Sequence, residues 1–347
     1  MTSAHTDQHP VVLPANQPEQ FYRGGASIAA LRGAGDDRDF GPEDWVASTT
    51  TRFGQPEAGL SRLPDGRLLR DAVAAAPESW LGADHVGDFG DSTALLVKLL
   101  DAGQRLPVHC HPSDGFARQH LGSRFGKTEA WIVVGTTGPN PVVYLGFRED
   151  VAPETVAHWV ATQDSSAMLG SLNEIPVKPG DTVHVPAGTP HAIGAGVFIV
   201  ELQQPTDFSI TLEWQGFLAD AEGAFLGMDH ETALRTVNRA GFGDATLASL
   251  IKHTAGQDDP RVPLLAEDAA EFFLADRLHP RGGLELDPSF GVLIVLDGAG
   301  TLRAGSGSAT ELRRGHTVVV PHSAGTAVLE GELTAVHCRP PAPRGTR

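Results

Sequence analysis

The sequence contains an internal echo. The segment PGDTVHVPAGTPH, from Pro179 to His191, returns as RGHTVVVPHSAGT, from Arg314 to Thr326. Across seven positions, Gly180, Thr182, Val183, Val185 and Pro186 are matched by Gly315, Thr317, Val318, Val320 and Pro321, five identities in all. Such a repeat predicts duplicated architecture, in which each copy forms the same local structure. Glycine for a tight turn, a short β-branched strand, then proline before the next turn is how small antiparallel barrels turn their corners. The copies diverge where chemistry would sit, because His191 of the first is replaced by Thr326 in the second. One half is expected to keep the chemistry and the other only the fold.

The rest of the chain reads the same way. Short runs rich in Val, Ile, Leu and Thr end in Gly, Pro or Asn, as in AWIVVG, PVVYLGF, GVFIVEL, FSITLEW, GVLIVLDG and TAVLEGELTAVH, the punctuation of strands and turns. Helical spacing appears only in GRLLRDAVAAAPESWLG, VAPETVAHWVATQ and MDHETALRTVNRAG. With 347 residues the chain exceeds one small core. A mainly β fold of two barrels with a few added helices is expected. Its parts would be an N-terminal tail over 1–20, a metal-bearing domain over 21–217, a helical linker over 218–262 and a C-terminal domain over 263–347 without metal ligands.

Charge narrows the partners. A formal net charge of -17, from 26 basic and 43 acidic residues, repels polyanions at long range, so neither nucleic acid nor an anionic membrane is an expected partner. A phosphorylated metabolite stays open, since a local pair of lysines outweighs the global field at contact distance. The first twenty residues lack the pattern of a signal peptide, and TALLVKLL is too short to span a bilayer and carries Lys98. The two cysteines, Cys110 and Cys338, fit a reduced compartment better than a disulfide framework, so a cytoplasmic location is expected. The oligomeric state is not encoded in any feature of the sequence.

The chemistry concentrates in LPVHCHPSDGF. On an extended segment His109 and His111 project to one side and Cys110 to the other. Glu129 follows in FGKTEAWIVV, and His191 lies behind a Pro-x-Gly turn. His-x-His, a later Glu and a final His resemble the metal signature of the cupin (jelly-roll-like) barrel, and three imidazoles with one carboxylate suit a divalent ion at roughly 2.0–2.2 Å for zinc. His184 is left out of the set, its orientation being open. His85, His120, His158 and His230 are expected at the surface.

Taken in order, GPEDWVAS, LLVKLLDAGQRLPVHCHPSD, GKTEAW and VPAGTPHAIGAGVFIVELQQPTD resemble the type I phosphomannose isomerases, from about Phe21 to Trp214 and again in the C-terminal half. The resemblance implies that His111, Glu129 and His191 hold zinc, with His109 where that family usually has glutamine. The nitrogen-rich set that results also suits iron, manganese or nickel. Lys98 and Lys127 stand where lysines of the family face the substrate. Two departures matter. Pro107 replaces a serine, and Thr211 stands where the family carries an arginine near the sugar and its phosphate, which removes a bidentate contact to a phosphoryl group.

A small sugar or sugar phosphate is the expected substrate. Aldose–ketose isomerisation moves a proton between adjacent carbons through an enediol, which needs a cation to polarise oxygens and a base to carry the proton. In GVFIVELQQ, alternation puts Val197, Ile199, Glu201 and Gln203 on one face, so Glu201 is the candidate base, with a carboxyl raised by burial. Asp207 matches a family carboxylate. Two alternatives remain open at this point: a bicupin that binds sugar or metal without turnover, and a metal-dependent cupin oxygenase.

Overall fold

The computed structural model describes residues 9–33 and 38–342. In chain order its strands are β1 (Val11–Leu13), β2 (Glu43–Val46), β3 (Leu96–Asp101), β4 (His109–Cys110), β5 (Glu129–Thr136), β6 (Val142–Phe147), β7 (Leu172–Pro176), β8 (Asp181–Val185), β9 (His191–Ile193), β10 (Val197–Gln203), β11 (Ile210–Thr211) and β12 (Ile251–His253). The C-terminal half adds β13 (Arg261–Pro263), β14 (Leu274–Leu278), β15 (Leu284–Leu286), β16 (Gly291–Arg303), β17 (Ala309–Arg313), β18 (Thr317–Val320) and β19 (Ala327–Arg339). The fold is mainly β, as expected.

The first half is built from two sheets. Six strands run in the order β12-β8-β5-β10-β3-β2 and five in the order β11-β4-β9-β6-β7, every pairing antiparallel. Leu100, Trp131, Val133, Leu145, Val183 and Ile199 fill the space between them. The opposite face of the six-stranded sheet is also buried. Val97, Leu99, Ala130, Ile132, Phe198, Val200 and Leu202 pack there in one core with Val292, Ile294, Val319 and Val336 of the C-terminal half. Burial on both faces explains why β3, β5 and β10 read as nearly continuous apolar runs rather than as a clean alternation.

The repeat is real in three dimensions. Gly180 and Gly315 both take the left-handed backbone, with φ of 92° and 85°, one and two residues before the matched strands β8 and β18. A side chain at either position would be strained, which accounts for glycine in both copies.

Several sequence expectations need correction. Residues 11–13 are not a loose tail: β1 pairs with β18 at the edge of the C-terminal sheet, with Val12 opposite Val318. The 218–262 segment holds short helices at His230–Leu234 and Asp244–Leu250, but it also supplies β12, which extends the first half's sheet by pairing with β8. The stretch from Leu69 divides into helices Leu69–Ala75 and Pro77–Leu81, because Ala76, the residue before proline, leaves helical geometry. FSITLEW forms only the two-residue β11. His85 is buried, not at the surface, and its Nε2 lies 2.8 Å from the Ser92 carbonyl oxygen. Cys110 and Cys338 are both free and buried. No helix among the described residues is long and apolar enough to cross a membrane.

Candidate metal centre and cavity

The two sheets of the first half bring the four expected ligands together. His109 lies opposite His191 across the β4–β9 pairing, and β4 ends so that His111 follows just beyond the strand. Glu129 opens β5 on the facing sheet. The candidate ligand nitrogens of His109, His111 and His191 all lie within 4.8 Å of one another. Glu129 Oε1 is 2.9 Å from His111 Nε2, and Glu129 Oε2 is 3.7 Å from His191 Nε2.

The imidazoles are oriented from behind. His109 Nδ1 is 2.8 Å from the Pro107 carbonyl, His111 Nδ1 is 2.8 Å from the Phe208 carbonyl, and His191 Nδ1 is 2.8 Å from the Thr189 carbonyl. A carbonyl oxygen only accepts, so each Nδ1 carries the proton and donates, leaving each Nε2 with a free lone pair. The Nε2 atoms of His111 and His191 are buried without a hydrogen-bond partner. Orphaned buried acceptors are costly unless something binds them, and a divalent cation fits this donor set. Burial, reinforced by neighbouring positive groups, pulls His111 and His191 down to about 3 and His109 well below its ordinary value, so the rings stay neutral as metal binding requires. Burial pushes the Glu129 carboxyl up, but the Lys127 ammonium, 2.9 Å away, outweighs it and holds the group ionised. Trp131 Nε1 donates to Glu129 Oε2 at 3.1 Å.

Beside this cluster lies a cavity of about 280 Å³, large enough for a monosaccharide derivative and lined by His109, Glu129 and His191 together with Lys98, Lys127, Glu201, Asp207 and Thr211. Lys98 is almost fully buried and stands between two carboxylates, 3.3 Å from Glu43 Oε2 and 3.4 Å from Glu201 Oε2. Its ammonium lies 4.8 Å from the centre of the Trp45 ring. The registers Glu201↔Lys98 and Trp45↔Lys98 across β10, β3 and β2 set this group in one transverse row. Burial raises Glu201 to about 7, with the Glu129 charge adding to the rise, while Lys98 and Lys127 oppose it. Burial also raises Asp207. Its Oδ2 accepts from the Phe53 amide at 3.0 Å, so this carboxylate ties a second loop to the cavity.

Three contributors are absent from the set expected from sequence. Glu43 lies within GPEDWVAS, and its alternation with Trp45 on one face of β2 is the signal that could have found it. Tyr22, whose hydroxyl donates to Glu43 Oε1, and Arg52 are brought in by chain segments without periodicity. His184, whose orientation the sequence leaves open, sits on β8 away from the cavity, near Phe272, with neither nitrogen bonded.

No family model matches the sequence. Curated relatives do. The chain is 36% identical over 154 residues to a mannose-6-phosphate isomerase of Streptococcus mutans, a match covering 43% of this chain and 47% of that protein. It is 27% identical over 243 residues to the mannose-6-phosphate isomerase ManA of Bacillus subtilis, covering 70% and 73% respectively. The chain thus spans about half the length of the first relative and nearly three quarters of the second. Among solved structures, the mannose 6-phosphate isomerase of Bacillus subtilis superposes with a TM-score of 0.73 at 21% identity, over 96% of this chain and all of that one. A mannose 6-phosphate isomerase bound with zinc and yttrium gives 0.72 at 14% identity, with the same coverage. The resemblance expected from the ordered motifs is borne out by these relatives, and the fold is shared along nearly the whole chain.

Proposed function

We propose that this chain, which shares its fold with phosphomannose isomerases and has mannose-6-phosphate isomerases among its sequence relatives, is a metal-dependent aldose–ketose isomerase. Its substrate is mannose 6-phosphate, converted to fructose 6-phosphate, or a closely related free or phosphorylated sugar. The observation that carries the reading is the pairing of two devices in one cavity: a cluster of three neutral imidazoles, two of them with unbonded Nε2 atoms, and a buried carboxylate tuned to about 7 beside it. We read the two sheet systems as cupin barrels, the first catalytic and the second not, and the protein as cytoplasmic.

His109, His111, Glu129 and His191 would hold the cation, zinc in the first instance; iron, manganese and nickel suit the same donors. When bound, a divalent ion supplies polarisation of the substrate's carbonyl and adjacent hydroxyl oxygens. Glu201 removes the proton from one carbon and returns it to its neighbour. Lys98, held by Glu43 on its far side, steadies the Glu201 carboxylate once it forms and keeps that side chain in place. Lys127 keeps Glu129 ionised and offers a donor to a substrate hydroxyl. Asp207 secures the loop that covers the cavity. The enclosed position of these groups limits water that would otherwise level their proton affinities.

The test uses the zinc-loaded protein with mannose 6-phosphate and with free mannose in deuterated water. Isomerisation gives ketose and deuterium at C2. Binding of either sugar without exchange would overturn the proposal in favour of a non-catalytic bicupin, and oxygen consumption with tightly bound iron would overturn it in favour of an oxygenase.

A further inference from the structure

The cavity poses a charge problem for a phosphorylated substrate. Lys98 is engaged by Glu43 and Glu201, and Lys127 by Glu129, so each lysine already faces a buried carboxylate. Thr211 pairs with His109 across the β11–β4 register and brings no positive charge. A dianionic phosphoryl group entering here would meet two neutralised lysines and four carboxylates, from Glu43, Glu129, Glu201 and Asp207. One cation lining the cavity is free of such a partner. Among the described residues, Arg52 forms no ion pair, and its one side-chain hydrogen bond runs from Nη1 to the backbone oxygen of Glu19. Most of the five guanidinium N–H donors therefore remain uncommitted.

The position of Arg52 suits an anchor. A second, outer groove of about 640 Å³ adjoins the cavity, and the two share Arg52, Phe53 and Asp207, whereas the candidate ligands His109, Glu129 and His191 line only the inner one. Arg52 thus stands where the cavity opens. Its loop is fixed rather than free. The Arg52 amide donates to the Ala58 carbonyl at 3.0 Å, the Gln55 amide donates to the Arg52 carbonyl at 2.9 Å, and the Phe53 amide is held by Asp207. The Phe53 ring meets Phe208 edge-on at 5.9 Å, joining this loop to the one that carries the Phe208 carbonyl behind His111. The hydroxyl-bearing Thr49, Thr51 and Ser92 line the groove beyond.

Resting on the isomerase reading above, we propose that Arg52 is the phosphoryl anchor of this chain, a specificity residue supplied by the loop after β2 in place of a cation at Thr211. The guanidinium grips two oxygens of the phosphoryl group at the cavity mouth and leaves the sugar carbons directed at Glu201 and the histidine cluster. A planar fork matches phosphate in a way that a single ammonium does not.

Arg52→Leu and Arg52→Lys test this, with thermal melting of each variant to establish that it is folded. Two readouts are compared: the ratio of kcat/KM for mannose 6-phosphate to that for free mannose, and binding of inorganic phosphate to the zinc-loaded protein by calorimetry. Arg52→Leu is expected to lower the ratio roughly 100-fold, chiefly through KM, and to weaken phosphate binding in parallel; Arg52→Lys recovers part of both. An unchanged ratio and unchanged phosphate affinity in folded Arg52→Leu would overturn the anchor while leaving the isomerase intact. Should the wild-type protein turn over no aldose, the functional reading falls, yet calorimetry still decides the subsite: phosphate binding that depends on Arg52 upholds it, and binding that is absent or indifferent to Arg52 removes it.

Discussion

On the isomerase proposal, Glu201 is the residue whose environment does most to define the chemistry. Burial and the charge of Glu129 lift its carboxyl to about 7, so the base form accumulates as pH rises through that value. The kcat/KM profile is expected to show a rising limb centred near pH 7, and Glu201→Gln to lower kcat by about 100-fold or more with metal content unchanged. The same shift has a stability sign. A carboxyl raised in the folded state binds more protons than in the unfolded chain between about 4.5 and 7, so its contribution is present at low pH and lost as pH passes 7. Glu201→Gln should therefore gain melting temperature relative to wild type at pH 8 but not at pH 4. At the candidate ligands, His111→Ala is expected to lose the proposed divalent metal, measurable as metal content per chain, and to abolish activity. Chelation of wild type should likewise lower the melting temperature, because a cation held only by the folded state stabilises it. Alternation along β10 and the spacing of the histidines make Glu201 and the ligand set legible in the sequence itself. Arg52, Tyr22 and the three backbone carbonyls behind the imidazoles are not, since loops converge on a site through tertiary contacts that carry no period.

Strands and turns are legible to different degrees for the same reason. The long runs that form β5, β10, β16 and β19 stand out because both sides of the sheet, or one strongly apolar side, select their residues. Two-residue strands such as β4 and β11 exist only through their partners, His191 for His109 and Cys110 for Ile210, and so leave no local pattern. The shared geometry of the repeat makes a sharper prediction. A Cβ at Gly315 would come within 2.2 Å of the Leu31 oxygen, on top of a φ of 85°. Gly315→Ala is expected to destabilise the protein by at least about 1–3 kcal/mol in urea titration, while the folded fraction keeps its metal.

For the molecule as a whole, one arginine joins parts far apart in sequence. Arg32 binds Asp44 of β2 at 2.8 Å through Nε, and its Nη1 reaches Thr317 Oγ1 of β18 at 2.8 Å and the Leu13 carbonyl of β1 at 3.3 Å. Asp44 is wholly buried. Arg32→Ala strands that carboxylate and should cost about 3–5 kcal/mol, seen as a lower urea midpoint; Arg32→Ala combined with Asp44→Ala should recover much of it. None of this is readable from the N-terminal segment, whose three-residue strand reads as a tail because its pairing partner lies near the other end of the chain.

The six-stranded sheet gives the C-terminal half a task although it carries none of the candidate ligands. Along β3 and β10, Lys98 and Glu201 point to the cavity while Val97, Leu99, Val200 and Leu202 point backwards into the core shared with β16, β18 and β19. On the proposed mechanism the C-terminal half is thus the anvil of the N-terminal one: its side chains set the depth at which Glu201 sits on the other face of the sheet. Mutational sensitivity of turnover should reach through that wall, so that enlarging Val292 or Ile294 disturbs the reaction without touching the sugar.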